Sequence, residues 1–137
     1  MKIFYKLPLI VFISLIALSC NSQQKSKQKD SSKSAITIVT PAEFLLKSEN
    51  QVIVDVRTPE EFSDGHIARA SNINFFDADF LDKFSKYDKN SPIFIYCRSG
   101  GRSGKASKKL SELGFKKVFD LKGGYLNWVD SNQKTEN

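Results

Sequence analysis

After residue 34, short apolar runs alternate with amphipathic segments, a pattern typical of strands followed by helices. The nearly continuous apolar runs at 52–56 and 93–96 are expected for parallel strands that are covered on both faces. Thr58, which precedes a proline and two glutamates, provides an N-cap and a first helical turn. The strongest helical pattern covers 103–113, with apolar residues on one face, lysines on the other and Gly114 to end it.

The other segments complete an alternating order. We predict short strands at 36–39, 73–75 and 118–119, and helical segments at 41–46, 80–84 and 125–129. Strands that alternate with short helices indicate an α/β fold, with a roughly five-stranded parallel sheet and helices on both faces. The polar residues 131–137 are predicted to form a frayed tail.

The first twenty residues have a different pattern. Lys2 and Lys6 precede an apolar run over 7–18, which is short for a membrane span and typical of an export signal. The segment ends at Cys20 and resembles a bacterial lipoprotein signal, in which the cysteine is lipidated and becomes the mature N-terminus. An uncleaved signal anchor and ordinary secretory cleavage are the alternatives.

Residues after Cys20 are rich in Ser, Gln and Lys and contain no large apolar side chain, which predicts a flexible tether. The predicted organisation is a signal peptide (1–19), a lipid-anchor cysteine with its tether (20–34), one folded domain (35–130) and a polar tail (131–137). Acyl chains on Cys20 would attach the domain to a membrane. We therefore expect an exported protein anchored at the cell envelope, on its periplasmic or outer face.

Net charge adds little to the functional interpretation of the domain. The chain carries a formal charge of +6, but fifteen basic and fourteen acidic residues follow residue 34, so the excess lies in the signal and the tether. A folded part so close to neutral lacks the basic surface that nucleic-acid binding needs. The composition therefore argues against a nucleic-acid partner.

Cys97 and the five residues after it form the most informative loop of the chain. It follows an apolar strand and precedes a helix, with the sequence Cys97-Arg98-Ser99-Gly100-Gly101-Arg102. Cations and a helix N-terminus favour a thiolate, and consecutive glycines allow backbone N–H groups to turn toward an anion. With Cys20 lipidated, Cys97 is a lone thiol, and the loop predicts a nucleophile inside a small anion-binding cup.

Other residues with chemical potential are assigned supporting roles. Asp55 and Arg57 follow a parallel strand, at the edge where α/β sheets carry their sites, and Arg57 is expected to pair with Glu60 or Glu61. His66 is the only histidine, and we expect it to make a structural hydrogen bond. Nothing has metal-ligand spacing, so no metal or cofactor is predicted. Of the adjacent residues Phe75 and Phe76, one is expected in the core and one at the pocket entrance.

Several short stretches occur in an order that identifies a resemblance. They are Asp55-Val56-Arg57-Thr58-Pro59-Glu60-Glu61-Phe62, Gly65-His66-Ile67, Ala70-Ser71-Asn72-Ile73, Tyr96-Cys97-Arg98-Ser99-Gly100-Gly101-Arg102-Ser103, Leu113-Gly114-Phe115 and Leu121-Lys122-Gly123-Gly124 with Trp128. With these stretches, the chain resembles a single-domain rhodanese, a sulfurtransferase module, over about residues 36–130. Ala68-Arg69 departs from the family, in which proline and glycine are common at these positions.

This resemblance implies a reaction in two halves. Cys97 would take the sulfane sulfur of a small anionic donor such as thiosulfate, and the resulting persulfide would pass it to cyanide or a thiol. The backbone N–H groups of 98–102 would stabilise the sulfur's negative charge. Arg102 would hold the loop and attract the donor, while Arg98 and Ser99 would face it at the rim.

Three alternatives remain open. Rhodanese-like phosphatases and arsenate reductases use this fold with a loop one residue longer, whereas four residues separate Cys97 from Arg102 here. The shorter loop favours sulfur over a tetrahedral oxyanion. A persulfide carrier for one partner protein would have the same motifs. Non-catalytic binding members of the family typically lack the cysteine, which is present in this chain.

Overall fold

The computed structural model of the protein describes residues 35–137. The predicted signal sequence, the tether and the lipid on Cys20 lie outside the described residues. Within 35–137 the chain forms a five-stranded parallel sheet with four short α-helices, the α/β fold that the sequence predicts. None of the helices in this part of the chain is long and apolar enough to cross a membrane.

The strand that leads into Cys97 lies at the centre of the sheet. In chain order the strands are β1 (Ile36–Val39), β2 (Val52–Asp55), β3 (His66–Ile67), β4 (Ser71–Asn72), β5 (Ile93–Tyr96), β6 (Val118–Leu121) and β7 (Thr135–Glu136). The main sheet has the order β1-β6-β5-β2-β4, and β3 pairs with β7 in a separate antiparallel ribbon. Because β5 lies between β2 and β6, Cys97 follows it at the middle of the carboxyl edge.

The helices are α1 (Pro41–Lys47), α2 (Pro59–Ser63), α3 (Gly101–Glu112) and α4 (Gly124–Asp130), with a 3₁₀ turn at Asp82–Phe84. Two of these helices, α1 and α2, begin with a capping box. Thr40 caps α1 and Thr58 caps α2, and in each the glutamate three residues later bonds back to the cap. Proline at the first helical position completes both starts.

The sheet separates two hydrophobic cores, because successive strand residues point to opposite faces. One core, here the α3-side core, includes Ile93, Ile95 and Cys97 of β5 and the following loop, packed with Leu110 of α3. The main members of the other, the α4-side core, are Phe44, Ile53, Phe94, Tyr96, Leu121 and Trp128. Cys97 thus belongs to a packed core and to the loop above it.

The structure corrects two local predictions. The strand expected at 73–75 is Ser71–Asn72, and Ile73 and Phe75 only continue the contact through single backbone bonds to Asp55 and Val56. The tail expected to fray forms β7 instead, which pairs with β3. Main-chain bonds hold this polar segment, so hydrophobic pattern could not predict it.

Candidate active site

The Cys97 loop closes on its own sulfur. The side chain of Cys97 is 1% exposed, and the backbone N–H of Gly100 donates to its Sγ at 3.1 Å. Gly100 has a φ of +104°, a left-handed conformation that other residues rarely adopt, and it is the N-cap of α3. Because α3 begins beside the sulfur, the unpaired N–H groups of its first turn favour a negative charge on that sulfur.

The first turn of α4 fixes the position of this loop. The N–H of Tyr125 donates to the carbonyl of Cys97 at 2.8 Å, and the N–H of Leu126 donates to that of Arg98 at 3.0 Å. Gly124 permits this approach, since a Cβ there would lie 2.5 Å from the carbonyl oxygen of Cys97. Two helices thus meet the loop, one from each end.

Arg102 is engaged by a carboxylate. Its Nη1 and Nη2 donate to Glu61 at 2.6 and 2.8 Å, and these bonds lower the pKa of Glu61 to about 2. Glu61 is already oriented by the backbone N–H of Thr58 at 3.0 Å. The pairing fits the predicted role of Arg102 in holding the loop. Because Glu61 neutralises much of the guanidinium charge, that charge is less available to attract an anionic substrate.

The partner predicted for Arg57 is wrong. Arg57 is 3% exposed and bonds to the carboxylate of Asp55, with Nε and Nη2 at 2.8 and 2.6 Å from Oδ2. Burial opposes its charge, but the bonds to Asp55 outweigh burial and raise the pKa of Arg57. The guanidinium also lies 4.1 Å from the ring centroid of Tyr125 and donates to the carbonyl of Gly65. This buried pair therefore connects the end of β2 to α4.

Tyr96 supports the same region from the end of β5. Its hydroxyl accepts a hydrogen bond from the N–H of Ile67 at 3.0 Å. Burial and the nearby charge of Asp55 raise its pKa above the ordinary value. Tyr96 thus stays neutral and structural at physiological pH.

The rim of the loop is exposed and partly aromatic. Arg98, Ser99 and Gly101 are exposed. Phe76 is 67% exposed, and its ring centroid lies 5.7 Å from the guanidinium carbon of Arg102. Phe75 packs against the α3-side core. The two phenylalanines therefore divide as expected, one toward the core and one toward the rim.

Sequence reasoning missed Asp120. It is 6% exposed in β6, and burial raises its pKa to about 6, against a hydrogen bond with Ser103 of α3. Within the part of the chain that the structure describes, its Oδ1 has no hydrogen-bond partner. The sequence does contain one indication of this buried carboxylate, because Asp120 is a single acidic residue between the apolar residues Phe119 and Leu121.

His66 has the structural role that the sequence predicts. Its ring stacks on Phe62 at a centroid distance of 3.9 Å, and Nδ1 lies 3.1 Å from the carbonyl oxygen of Phe62. Residues 35–137 contain no group of three or more His, Cys, Asp or Glu side chains that could hold a metal ion. The chemistry available at the loop is that of a cysteine beside backbone N–H donors, with Arg102 paired to Glu61 and Arg98 exposed.

Together, fold and site define a parallel α/β domain that holds one cysteine at the N-terminus of its longest helix. Residues 40–131 match the family model described as the rhodanese-like domain. The chain is 38% identical over 108 residues to thiosulfate sulfurtransferase 16 of Arabidopsis thaliana, a chloroplastic protein, covering 72% of this chain and 89% of that one. It is 36% identical over 84 residues to thiosulfate sulfurtransferase GlpE of Coxiella burnetii, covering 61% and 77%.

A solved structure has the same fold. A rhodanese-related protein from Thermoplasma volcanium superposes with a TM-score of 0.65 at 26% identity, covering 72% of this chain and 95% of that one. The chain therefore belongs to the rhodanese-like domain family, and it has relatives named thiosulfate sulfurtransferases.

Proposed function

We propose that this protein transfers sulfane sulfur through a persulfide on Cys97. The thiolate attacks the outer sulfur of thiosulfate, the S–S bond of the donor breaks, and sulfite leaves with the electron pair. Cyanide or a thiolate then attacks the outer sulfur of the persulfide, and thiocyanate or a new persulfide leaves as the Cys97 thiolate is restored. Both halves are nucleophilic displacements, so no external oxidant or reductant is needed.

The observation that carries this proposal is the hydrogen bond from the N–H of Gly100 to Sγ of Cys97. A donor that points at the sulfur in the resting protein stabilises the thiolate that starts the reaction. The same donors suit the terminal sulfur of a persulfide, which is also anionic. Arg98 is exposed and forms no ion pair within residues 35–137, so it is the arginine of the loop best placed to meet an anionic donor.

A protein thiol is the second candidate for the acceptor. Phe76 supports it, because an aromatic side chain left 67% exposed beside the loop is suited to contact with a protein surface. A carrier of this kind would be loaded by thiosulfate once but would turn over slowly with cyanide. Thiocyanate formation under excess of both small substrates distinguishes the two acceptors.

The test of the reaction is mass spectrometry of the full-length protein after exposure to thiosulfate. We expect a gain of one sulfur atom on the Cys97 peptide that cyanide removes, and no gain in Cys97→Ser. Cys20→Ser is the matched control, since it removes the other cysteine and leaves Cys97 to react. An unmodified Cys97 after several sulfane donors would contradict the proposal, as would cysteine-dependent hydrolysis of an aryl phosphate.

We further propose that the protein is exported and held at the cell envelope by lipid on Cys20. The support is the sequence alone: two lysines, an apolar run and a small residue before the cysteine. Mass spectrometry of the protein from its native membrane should show an acylated N-terminal Cys20. An intact N-terminal Met1, or cleavage at another residue, would contradict it.

A further inference from the structure

A cavity lies on the α4 side of the sheet, and no residue of the Cys97 loop lines it. Its volume is about 510 Å³, within the range of about 300–1,000 Å³ that is common for small-molecule sites. Five of its lining side chains are apolar: Leu45, Ile53, Ile67, Ala68 and Trp128. Ile53, Ile67 and Trp128 are also members of the α4-side core, so the cavity opens onto packed apolar side chains.

Arg69 lines this cavity and has a strained backbone. Its φ is +66°, a conformation that costs a residue with a Cβ on the order of 1 kcal/mol and that glycine adopts freely. Its Nη2 donates to the carbonyl of Ser48, another lining residue, at 3.4 Å. A strained arginine in a position that would suit glycine indicates that the side chain has a role at the cavity.

Lys134 supplies a second cation on the lining. Its backbone is held because the indole Nε1 of Trp128 donates to its carbonyl at 3.0 Å and β7 follows directly, while its side chain is exposed. Within residues 35–137 neither Arg69 nor Lys134 forms an ion pair. Glu136 accepts from the backbone N–H of Arg69 and not from its guanidinium. Apolar walls therefore lie beside two exposed cations that have no carboxylate partner among the described residues.

We propose that this cavity binds a small organic anion with an apolar body, such as a medium-chain carboxylate. The chain of the ligand packs on Leu45, Ile53 and Trp128, and its anionic group lies between Arg69 and Lys134. The two unpaired cations favour an anionic ligand, and the apolar walls favour a ligand with an apolar body over a fully hydrated anion such as phosphate. This binding does not depend on sulfur transfer at Cys97, so each proposal can fail alone.

The test uses Trp128 as its reporter, because it is the only tryptophan in the chain. The full-length protein is labelled with 5-fluorotryptophan and titrated with octanoate, and the single ¹⁹F resonance is followed by NMR. Octan-1-ol and octylamine, with the same chain length but no negative charge, are the ligand controls. We expect a saturable shift with octanoate and binding about tenfold weaker with either control.

Three variants test the geometry. Arg69→Gly removes the guanidinium and relieves the strained φ, so it folds and binds octanoate about tenfold more weakly. Ala68→Leu fills part of the cavity and abolishes the shift. Lys105→Gln, which changes an exposed lysine on α3, leaves the affinity unchanged.

Several results would overturn the proposal. They are octanol binding as tightly as octanoate, unchanged affinity in Arg69→Gly, a persistent shift in Ala68→Leu, and no shift of Trp128 at any octanoate concentration below its micelle threshold. Thermal unfolding of each variant identifies any that fails to fold. In that case Lys134→Gln, a change at an exposed site, replaces it with the same expected loss of about tenfold.

Discussion

Glu61 stabilises two parts of the structure with one carboxylate. It closes the capping box of α2 through Thr58, and it binds Arg102 in the first turn of α3. The capping bond holds its side chain in place, which reduces the entropy cost of the ion pair with Arg102. A glutamate that the sequence places in the first turn of a helix therefore also holds the Cys97 loop.

Glu61→Gln should lower stability in a pH-dependent way. The pKa of Glu61 falls from 4.5 to about 2 in the folded protein, so its stabilisation is full above pH 4.5 and is lost as pH falls toward 2. Because the side chain is 27% exposed, we expect a loss of about 1–2 kcal/mol at pH 7. Denaturant unfolding at several pH values measures it. The neighbouring exposed Glu60→Gln should change stability by less than about 0.5 kcal/mol, and an equal loss there would refute this assignment.

Asp120→Asn should have the opposite effect. The pKa of Asp120 rises from 3.8 to about 6, so the folded state holds a proton that the unfolded state releases, and stability falls as pH rises through that window. Asparagine cannot ionise, so the variant should be more stable than the wild type by about 1–2 kcal/mol above pH 6 and equal to it below pH 4. Unfolding at both ends of the window checks this. Exposed Asp130→Asn is the control, and a pH-independent difference for Asp120→Asn would contradict the expectation.

Single residues show where sequence reasoning works and where it stops. The positions of Cys97 and Gly100 follow from the motif, because the strand, the loop and the helix are local. The partner of Arg57 depends on how its side chain turns back to Asp55 instead of toward α2, and no spacing rule gives that choice. Asp120 is acidic in an apolar strand, but its burial against Ser103 becomes visible only when α3 is packed on β6.

Among the elements, α4 holds the loop through two backbone hydrogen bonds although it has only seven residues. Its first two N–H donors after Gly124 bind the carbonyls of Cys97 and Arg98. Loop carbonyls thus satisfy N–H groups that a helix start leaves unpaired. The sequence predicts α4 from its apolar spacing, but this contact requires the crossover that brings β6 beside β5.

Gly124→Ala should displace the loop. An added Cβ would lie 2.5 Å from the carbonyl oxygen of Cys97 and 2.6 Å from that of Arg98, and φ is +62°. We expect a loss of at least about 2 kcal/mol in unfolding free energy and slower persulfide loading. Gly104→Ala is the control in α3, where the nearest atom lies at 3.8 Å and alanine should stabilise the helix by about 0.5–1 kcal/mol. Equal stability of the two variants would contradict the steric argument.

At the scale of the whole domain, the central sheet separates the Cys97 loop from the proposed anion-binding cavity, which lies on the opposite face. The thiol and Asp120 lie with the α3-side core, whereas the cavity with Arg69 and Lys134 lies with the other. The alternating pattern predicts this layered arrangement, because parallel strands must be covered on both sides. The ribbon of β3 and β7 could not be predicted, since its main-chain bonds join two very short segments far apart in sequence, and β7 is wholly polar.

Deleting residues 133–137 should separate stability from loop chemistry. The deletion removes the acceptor for the indole of Trp128 and all of β7, so we expect a loss of about 1–3 kcal/mol and a red shift of Trp128 fluorescence. Every contact that positions the Cys97 loop lies before residue 127, so the folded fraction should still load a persulfide at the wild-type rate. Thr135→Ala keeps the backbone bonds and should be nearly neutral. Loss of loading in a deletion variant that remains folded by circular dichroism would instead couple the ribbon to the active loop through α4.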